Sequence, residues 1–385
     1  MSRRTISAGP LKSSNIPSFV FAICVASAAW GQNRPAAESI LRHAVELHQA
    51  GDTEGAIGEY RAYLKQVPES VMAHSNLGAA LSKLGHYEEA VGEYKQALEK
   101  QPGDLHIRVN LALAYYKAAQ ISEAAEQLSA VVKQEPSNRQ AVVLLADCQL
   151  QTGEYKKVID LLAPLEKDSP NDKVVIYLLG TAYIRDKQLA RGQVLVDRIL
   201  REGDSAEARL LLGTTRMNAQ EFAEALVDLK KAVELNPQLP DVYSYYGLGL
   251  LATGDMSGAA DAFREELKSN PNDFVSNLQL GVVLKQDQKY DEARSFFERA
   301  LRVRPGDPAV RYQLATLDLT AGMLDQACAK LEQLTKETPQ FVEAHVSLAT
   351  VYYRLKRKAD GDRERELVLK LNAAAQAGQP GVKVP

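Results

Sequence analysis

The pattern of apolar and polar residues repeats along this chain in units of two short helices. Residues 71–104 show the unit most clearly, with one helically spaced apolar run around Leu77 and a second around Tyr94. Gly85 lies between the two runs, where a helix can end and the chain can turn. Pro102 closes the unit because proline cannot continue a helix. The pattern therefore predicts a helix–turn–helix hairpin of 34 residues.

Ten copies of this unit follow one another along the chain. Each copy is 34 residues long except the one that starts at 173, which has 33. A hairpin of this size cannot bury both of its faces alone, so neighbouring copies have to stack. The copies start at residues 37, 71, 105, 139, 173, 206, 240, 274, 308 and 342. An all-α fold follows from this organisation.

Two places in the unit always hold small residues or, once, valine. A small residue there lets the two helices of a hairpin approach closely. The eighth position holds Ala44, Gly78, Ala112, Ala146, Gly180, Gly213, Gly247, Gly281, Ala315 and Ala349. The twentieth position holds Ala56, Ala90, Ala124, Val158, Gly192, Ala225, Ala259, Ala293, Ala327 and Gly361.

The period, the small residues and the proline that closes eight of the copies together resemble the tetratricopeptide repeat family. The resemblance covers residues 37 to about 375. Together with the export signal described below, it indicates a member of the exported bacterial type. It implies a right-handed α-solenoid of ten helix–turn–helix repeats. The aromatic residue that the family carries at position 4 is mostly missing here. The copy at 173 lacks its proline, which predicts an irregular superhelix pitch in residues 173–240.

The last position of five copies holds a residue that can cap the first helix of the next copy. A short polar side chain at this place accepts a hydrogen bond from the free backbone N–H groups of a helix start. These predicted caps are Asp104, Asn138, Asp172, Asp273 and Asp307.

Residues 1–31 differ from the rest of the chain. Three basic residues are followed by an apolar run from Phe19 to Trp30 that is too short for a membrane-spanning helix. This predicts a signal peptide cleaved after Ala28 or Gly31, and hence a periplasmic or secreted protein. An uncleaved N-terminal anchor is the alternative. After the array, residues 376–385 are predicted to form a disordered tail.

Candidate chemistry is sparse. The six histidines do not form a metal-ligand spacing, and no phosphate loop or nucleophile elbow appears, so we expect no metal, no cofactor and no enzymatic activity. After residue 31 the chain has 43 basic and 49 acidic residues, a net charge of −6, which argues against binding to nucleic acid. Cys148 and Cys328 lie in different repeats and are predicted to be buried thiols. No later segment is apolar enough to cross a membrane.

The remaining candidate for function is the surface of the repeat array. The family resemblance implies that positions 2, 5, 9, 12 and 13 of the first helices line a concave groove, and apolar groove surfaces commonly bind protein segments. The predicted groove residues are Val109, Tyr116, Val143, Leu150, Tyr177, Ile184, Leu210, Met217 and Leu251. A narrower groove results if positions 5 and 9 pack between neighbouring first helices.

Two functions remain open at this point, beside a cytoplasmic or membrane-anchored adaptor as a third option. The first is a non-enzymatic scaffold that binds a protein or peptide in the groove outside the cytoplasm. The second is an envelope accessory protein for polysaccharide export or surface assembly, with tyrosines such as Tyr116, Tyr177, Tyr312 and Tyr353 as sugar platforms.

Overall fold

A computed structural model describes residues 34–201 and 203–377. In these ranges the chain forms twenty α-helices and no strand, so the predicted all-α fold is confirmed. The helices are α1 (Arg34–Ala50), α2 (Thr53–Gln66), α3 (Val71–Lys83), α4 (Tyr87–Lys100), α5 (Leu105–Lys117), α6 (Ile121–Gln134), α7 (Arg139–Thr152), α8 (Tyr155–Asp168), α9 (Lys173–Arg185), α10 (Leu189–Arg201), α11 (Ala206–Asn218), α12 (Phe222–Leu235), α13 (Val242–Ala252), α14 (Met256–Ser269), α15 (Phe274–Gln286), α16 (Tyr290–Val303), α17 (Pro308–Thr320), α18 (Leu324–Glu337), α19 (Val342–Arg354) and α20 (Lys358–Ala377).

The chain divides into two compact units. Among the described residues, the first unit comprises those up to Glu221 together with Val227–Leu239, and the second comprises Phe222–Leu226 and those from Pro240 onward. In the first unit the hairpins from α1/α2 to α9/α10 each pack their two helices together and stack on one another, and in the second unit the hairpins from α13/α14 to α19/α20 do the same. Ten first helices (odd numbers) and ten second helices (even numbers) follow the ten copies of the sequence repeat.

In several hairpins a large side chain of the second helix meets a small residue of the first. All twenty residues at positions 8 and 20 are buried. A Cβ atom added to Gly281 would lie 2.6 Å from the ring of Phe297, and one added to Gly78 would lie 2.9 Å from the ring of Tyr94. Both rings stand at position 24 and are buried. The small residue is therefore needed to make room for the ring.

The turn inside each hairpin has the same backbone conformation in all ten copies. Position 15 has a positive φ, which favours glycine because other residues place Cβ too close to the backbone. Five copies have glycine there, as at Gly85 (φ 84°), and five do not, as at Gln288 (φ 62°).

The five helix caps that the sequence predicts are all formed. Each side chain accepts a hydrogen bond from a backbone N–H in the first turn of the helix that follows it. The capped helices are α5 (Asp104), α7 (Asn138), α9 (Asp172), α15 (Asp273) and α17 (Asp307).

Polar residues at position 4 take the place of the aromatic residue expected there. His345 is buried, with Nδ1 2.6 Å from Glu364 Oε2 and Nε2 3.1 Å from the carbonyl oxygen of Pro339. His74 makes the same pair of contacts in the second copy, and Arg108 makes the equivalent pair in the third. We call this arrangement the polar clasp, because it joins both helices of a copy to the end of the preceding copy.

Helix α13 begins differently from the other first helices. Asp241 precedes it in a left-handed conformation (φ 66°), and its side chain does not cap the helix. Instead, the carboxylate of Glu266 on α14 accepts hydrogen bonds from the backbone N–H groups of Asp241 (3.1 Å) and Tyr243 (3.2 Å). Glu266 is only 1 % exposed, and the other nine copies carry an apolar or aromatic residue at this place.

Burial and the carboxylates of Asp273 and Asp241 raise the pKa of Glu266 to about 8. Burial and Asp241 also raise the pKa of Asp273, which caps α15 and accepts a hydrogen bond from Ser244. The second unit therefore contains buried acidic groups that favour the neutral form.

Other predictions can be compared only where the structure describes the chain. The predicted signal peptide, residues 1–31, lies outside the described residues, as do residues 378–385 of the tail. Helix α20 continues to Ala377, two residues beyond the predicted end of the array. Cys148 and Cys328 are free and buried, as predicted. In the described ranges no helix is long and apolar enough to span a membrane.

Candidate protein-binding face

The first helices of the first unit lie side by side and present a common face. Helix α9 contacts both α7 and α11, so these three helices are direct neighbours. A hydrogen bond of 2.8 Å from the hydroxyl of Tyr116 on α5 to Asp147 on α7 extends the same side of the unit. We define the first-helix face of this unit as the partly exposed side chains of α5, α7, α9 and α11.

Five of the predicted groove residues are partly exposed on this face. They are Val109 and Tyr116 on α5, Val143 on α7, Tyr177 on α9 and Met217 on α11. Their side chains are apolar or aromatic and come from four successive copies. The face can therefore offer apolar contacts along several helices, and whether it binds a ligand stays a prediction.

Three other predicted residues are buried in the first unit. Leu150, Ile184 and Leu210 are between 0 % and 5 % exposed. The side chain of Ile184 lies against the second helix of its own hairpin: a Cβ atom added to Gly192 on α10 would lie 2.6 Å from the Cγ1 atom of Ile184. The missing side chain at Gly192 thus opens a space that Ile184 fills. These three residues support the face from beneath and do not reach its surface.

The ninth predicted residue, Leu251, belongs to the second unit. It lies near the end of α13 and is partly exposed there. The nine predicted groove residues are thus divided between the two units, with eight in the first and Leu251 in the second.

A polar cluster joins α5 and α7 on the face of the first unit. Tyr116 donates to Asp147, and the amide nitrogen of Gln151 lies 2.6 Å from the Tyr116 hydroxyl and 2.9 Å from Asp147 Oδ2. Burial, followed by the nearby Asp147 charge, raises the pKa of Tyr116 well above its usual value. The hydroxyl therefore stays neutral and its ring is held in place. Sequence reasoning missed Asp147 and Gln151, although they occupy positions 9 and 13 of the repeat.

No cluster of three or more potential metal ligands occurs among the described residues. The histidines that the sequence offers have other roles where contacts are seen. His74 and His345 belong to polar clasps, and the ring of His48 lies edge-on to that of Tyr60.

Comparison with known proteins identifies the repeat. Two family models described as tetratricopeptide repeat match the chain, one at residues 83–142, 120–175 and 284–349 and the other at residues 41–104, 210–274 and 246–308. Together the matches cover more than half of the chain.

Curated relatives share parts of the array. Subunit 3 of the anaphase-promoting complex of Schizosaccharomyces pombe is 25 % identical over 153 residues, which is 39 % of this chain and 23 % of the relative. The cytochrome c-type biogenesis protein CycH of Pseudomonas aeruginosa is 32 % identical over 113 residues, 28 % of this chain and 27 % of the relative. The peroxisomal targeting signal receptor of Candida glabrata is 31 % identical over 97 residues, 25 % of this chain and 16 % of the relative. The chain thus spans less than a third of the length of these relatives.

A solved structure extends the similarity to most of the fold. In the crystal structure of the anaphase-promoting complex hetero-tetramer Cut9–Hcn1, a chain superposes with a TM-score of 0.54 at 14 % identity, covering 88 % of this chain and 81 % of that one. At this identity the likeness concerns the fold alone. With its tandem helical hairpins, its small residues at positions 8 and 20 and the two matching family models, the chain belongs to the tetratricopeptide repeat family.

Proposed function

We propose that this protein is a non-enzymatic scaffold that binds a protein or peptide on the first-helix face of its repeats, outside the cytoplasm. The observation that carries the proposal is the row of partly exposed apolar side chains on α5, α7, α9 and α11. Stacked helical repeats present extended surfaces of this kind, and their proteins are widely used to bind other proteins. The family membership supports the same role.

The exposure of the predicted groove residues guides the choice of substitutions for a binding test. Leu150, Ile184 and Leu210 are buried, so changing them tests stability rather than binding. Val109, Val143 and Met217 are partly exposed and lie on three different helices of the face. They are the residues to substitute.

The binding test compares two purified variants with the wild type. One variant combines V109S, V143S and M217S on the first-helix face. The control carries V194S on α10, because Val194 is 59 % exposed and lies on a second helix. Peptides selected from a random display library on the wild type are then titrated against each variant. We expect the triple variant to lose most of its affinity and the control to keep it. Equal affinity of the triple variant and the wild type would refute the assignment of the face.

The proposed location rests on the signal-like residues 1–31. Mass spectrometry of the N-terminus, on protein isolated from the organism, tests it. Export with cleavage predicts a first residue of Ala29 or Gln32, and an intact Met1 would contradict cleavage.

The polysaccharide alternative draws less support from its tyrosines. Tyr312 packs on Phe341 with ring centroids 5.2 Å apart, and its hydroxyl lies 3.1 Å from Ser347 Oγ. Tyr353 donates to Asp362, and Tyr116 is held in the polar cluster. A protein ligand is therefore the proposal that the contacts favour.

A further inference from the structure

The second unit also has a face formed by its first helices, and this face contains one lysine, Lys285. We define this face by the partly exposed residues at positions 5, 6, 9 and 12 of α15 and α17. On α15, Leu278 and Val282 precede Lys285 by two helical turns and by one turn, so the three share one side of the helix. On α17 the face includes Tyr312, Gln313, Thr316 and Leu319.

The charge of Lys285 is not balanced within the described part of the chain. Its ammonium group donates to Gln313 Oε1 (2.9 Å) and to Thr316 Oγ1 (2.6 Å), which are both neutral acceptors. Lys285 forms none of the ion pairs found in residues 34–201 and 203–377, and burial alone lowers its pKa, without a contribution from any charged neighbour. The other face residues of α15 and α17 are uncharged.

A half-buried ammonium group without a counter-charge is an unfavourable arrangement, because part of its hydration is lost and no carboxylate compensates for it. An ammonium group has three N–H donors, and the two hydrogen bonds to α17 leave one of them. The amide group of Gln313, whose oxygen accepts from Lys285, carries two further N–H donors on its nitrogen. These donors lie at the boundary of α15 and α17.

We infer that Lys285 receives an acidic side chain of a protein partner that lies across the first helices of the second unit. A carboxylate would accept hydrogen bonds from the remaining N–H of Lys285 and from the Gln313 amide. Leu278 and Val282 would contact apolar neighbours of the acidic residue. This inference rests on the protein-binding function proposed above and adds the chemistry of the partner.

A purely structural role is the competing explanation, since Lys285 links α15 to α17. The variant K285M separates the two, because methionine keeps most of the apolar stem but removes the charge. The control is K289M: Lys289 is exposed, lies close in the chain and is 3.9 Å from Asp287.

The experiment selects peptides from a random display library on the purified wild type, K285M and K289M. We expect peptides from the wild type and from K289M to be enriched in one Asp or Glu flanked by apolar residues, and peptides from K285M to lose this enrichment. For the best acidic peptide, measured by fluorescence anisotropy, we expect changing the acid to its amide to weaken binding about tenfold to the wild type and by much less to K285M.

Two outcomes would overturn the inference while leaving the protein-binding function in place. One is a wild-type selection rich in apolar peptides without any preference for acids. The other is an acid preference that persists in K285M, even if that variant melts at a lower temperature, which would make the lysine structural only. A wild type that enriches no peptide would contradict the proposed function as well.

Discussion

Neutralising Glu266 permanently should stabilise the second unit at alkaline pH. The substitution E266Q keeps the shape of the side chain and one acceptor for the N–H groups at the start of α13, but it cannot ionise. When the pKa of a group is higher in the folded than in the unfolded state, its contribution to stability is complete at pH values below the unfolded-state pKa. This contribution is lost as the pH rises through the folded-state pKa. For Glu266 that interval runs from 4.5 to about 8.

The size of the effect follows from the shift in pKa. At about 1.36 kcal/mol per pKa unit, the preference for the neutral form corresponds to roughly 5 kcal/mol as an upper value. The wild type should therefore lose stability between pH 5 and pH 8.5 by up to that amount relative to E266Q. At pH 5 E266Q should be somewhat less stable than the wild type, because its amide NH2 group cannot accept a hydrogen bond from one of the two backbone N–H groups. The variant E266A should be less stable at both pH values, because it leaves the buried N–H groups of Asp241 and Tyr243 without an acceptor.

Amide hydrogen exchange with mass spectrometry is the appropriate assay, because long repeat arrays do not unfold in one step. Peptides that cover α13 and α14 report the opening of this region, after correction for the dependence of intrinsic exchange on pH. We expect protection in E266Q to exceed that of the wild type at pH 8.5 but not at pH 5. A difference that is the same at both pH values would refute the argument. So would stronger protection of the wild type at pH 8.5, since it would mean that the ionised carboxylate stabilises the start of α13.

Five further substitutions, grouped in three tests, probe the packing rules of the repeat, each by amide hydrogen exchange of the peptides around the substituted residue in the variant and the wild type. H345A should cost about 2 kcal/mol, because it breaks a buried polar clasp and leaves its acceptors unpaired; unchanged protection of α19 and α20 would contradict the clasp. Q288G should stabilise by about 1 kcal/mol and G85A should destabilise by a similar amount, since both positions have a positive φ; effects of the same sign would be inconsistent with this reasoning. G281A should destabilise by about 1–3 kcal/mol because its Cβ atom meets a buried ring, whereas G92A, with open space around it, should not destabilise.

The repeat could be read from the sequence because its signals are local and recur ten times. Small residues at positions 8 and 20 and the cap residues before the first helices depend on contacts within one hairpin or one helix turn. Asp104 and Asp307 cap their helices as predicted. Gly78 and Gly281 face the rings that the pattern implies. Each of these contacts is made by residues close in the chain, so pattern and structure agree.

The candidate face was predictable only in part. Periodicity places a residue on one side of a helix, but the rotation of that helix and the size of its neighbours determine how exposed the side chain is. Ile184 has the same position in the repeat as Tyr116, yet it is buried because Gly192 leaves it space in the hairpin. The cluster around Asp147 was missed because it joins residues of different copies.

By itself the sequence determined the all-α helical hairpins and five of the helix caps, because these depend on nearby residues. The tertiary structure decided which side chains of the first helices remain accessible. It also brought Glu266 to the start of α13 and left Lys285 facing only neutral acceptors. Such contacts join residues of different helices, and their electrostatics depend on burial, which the order of residues does not specify.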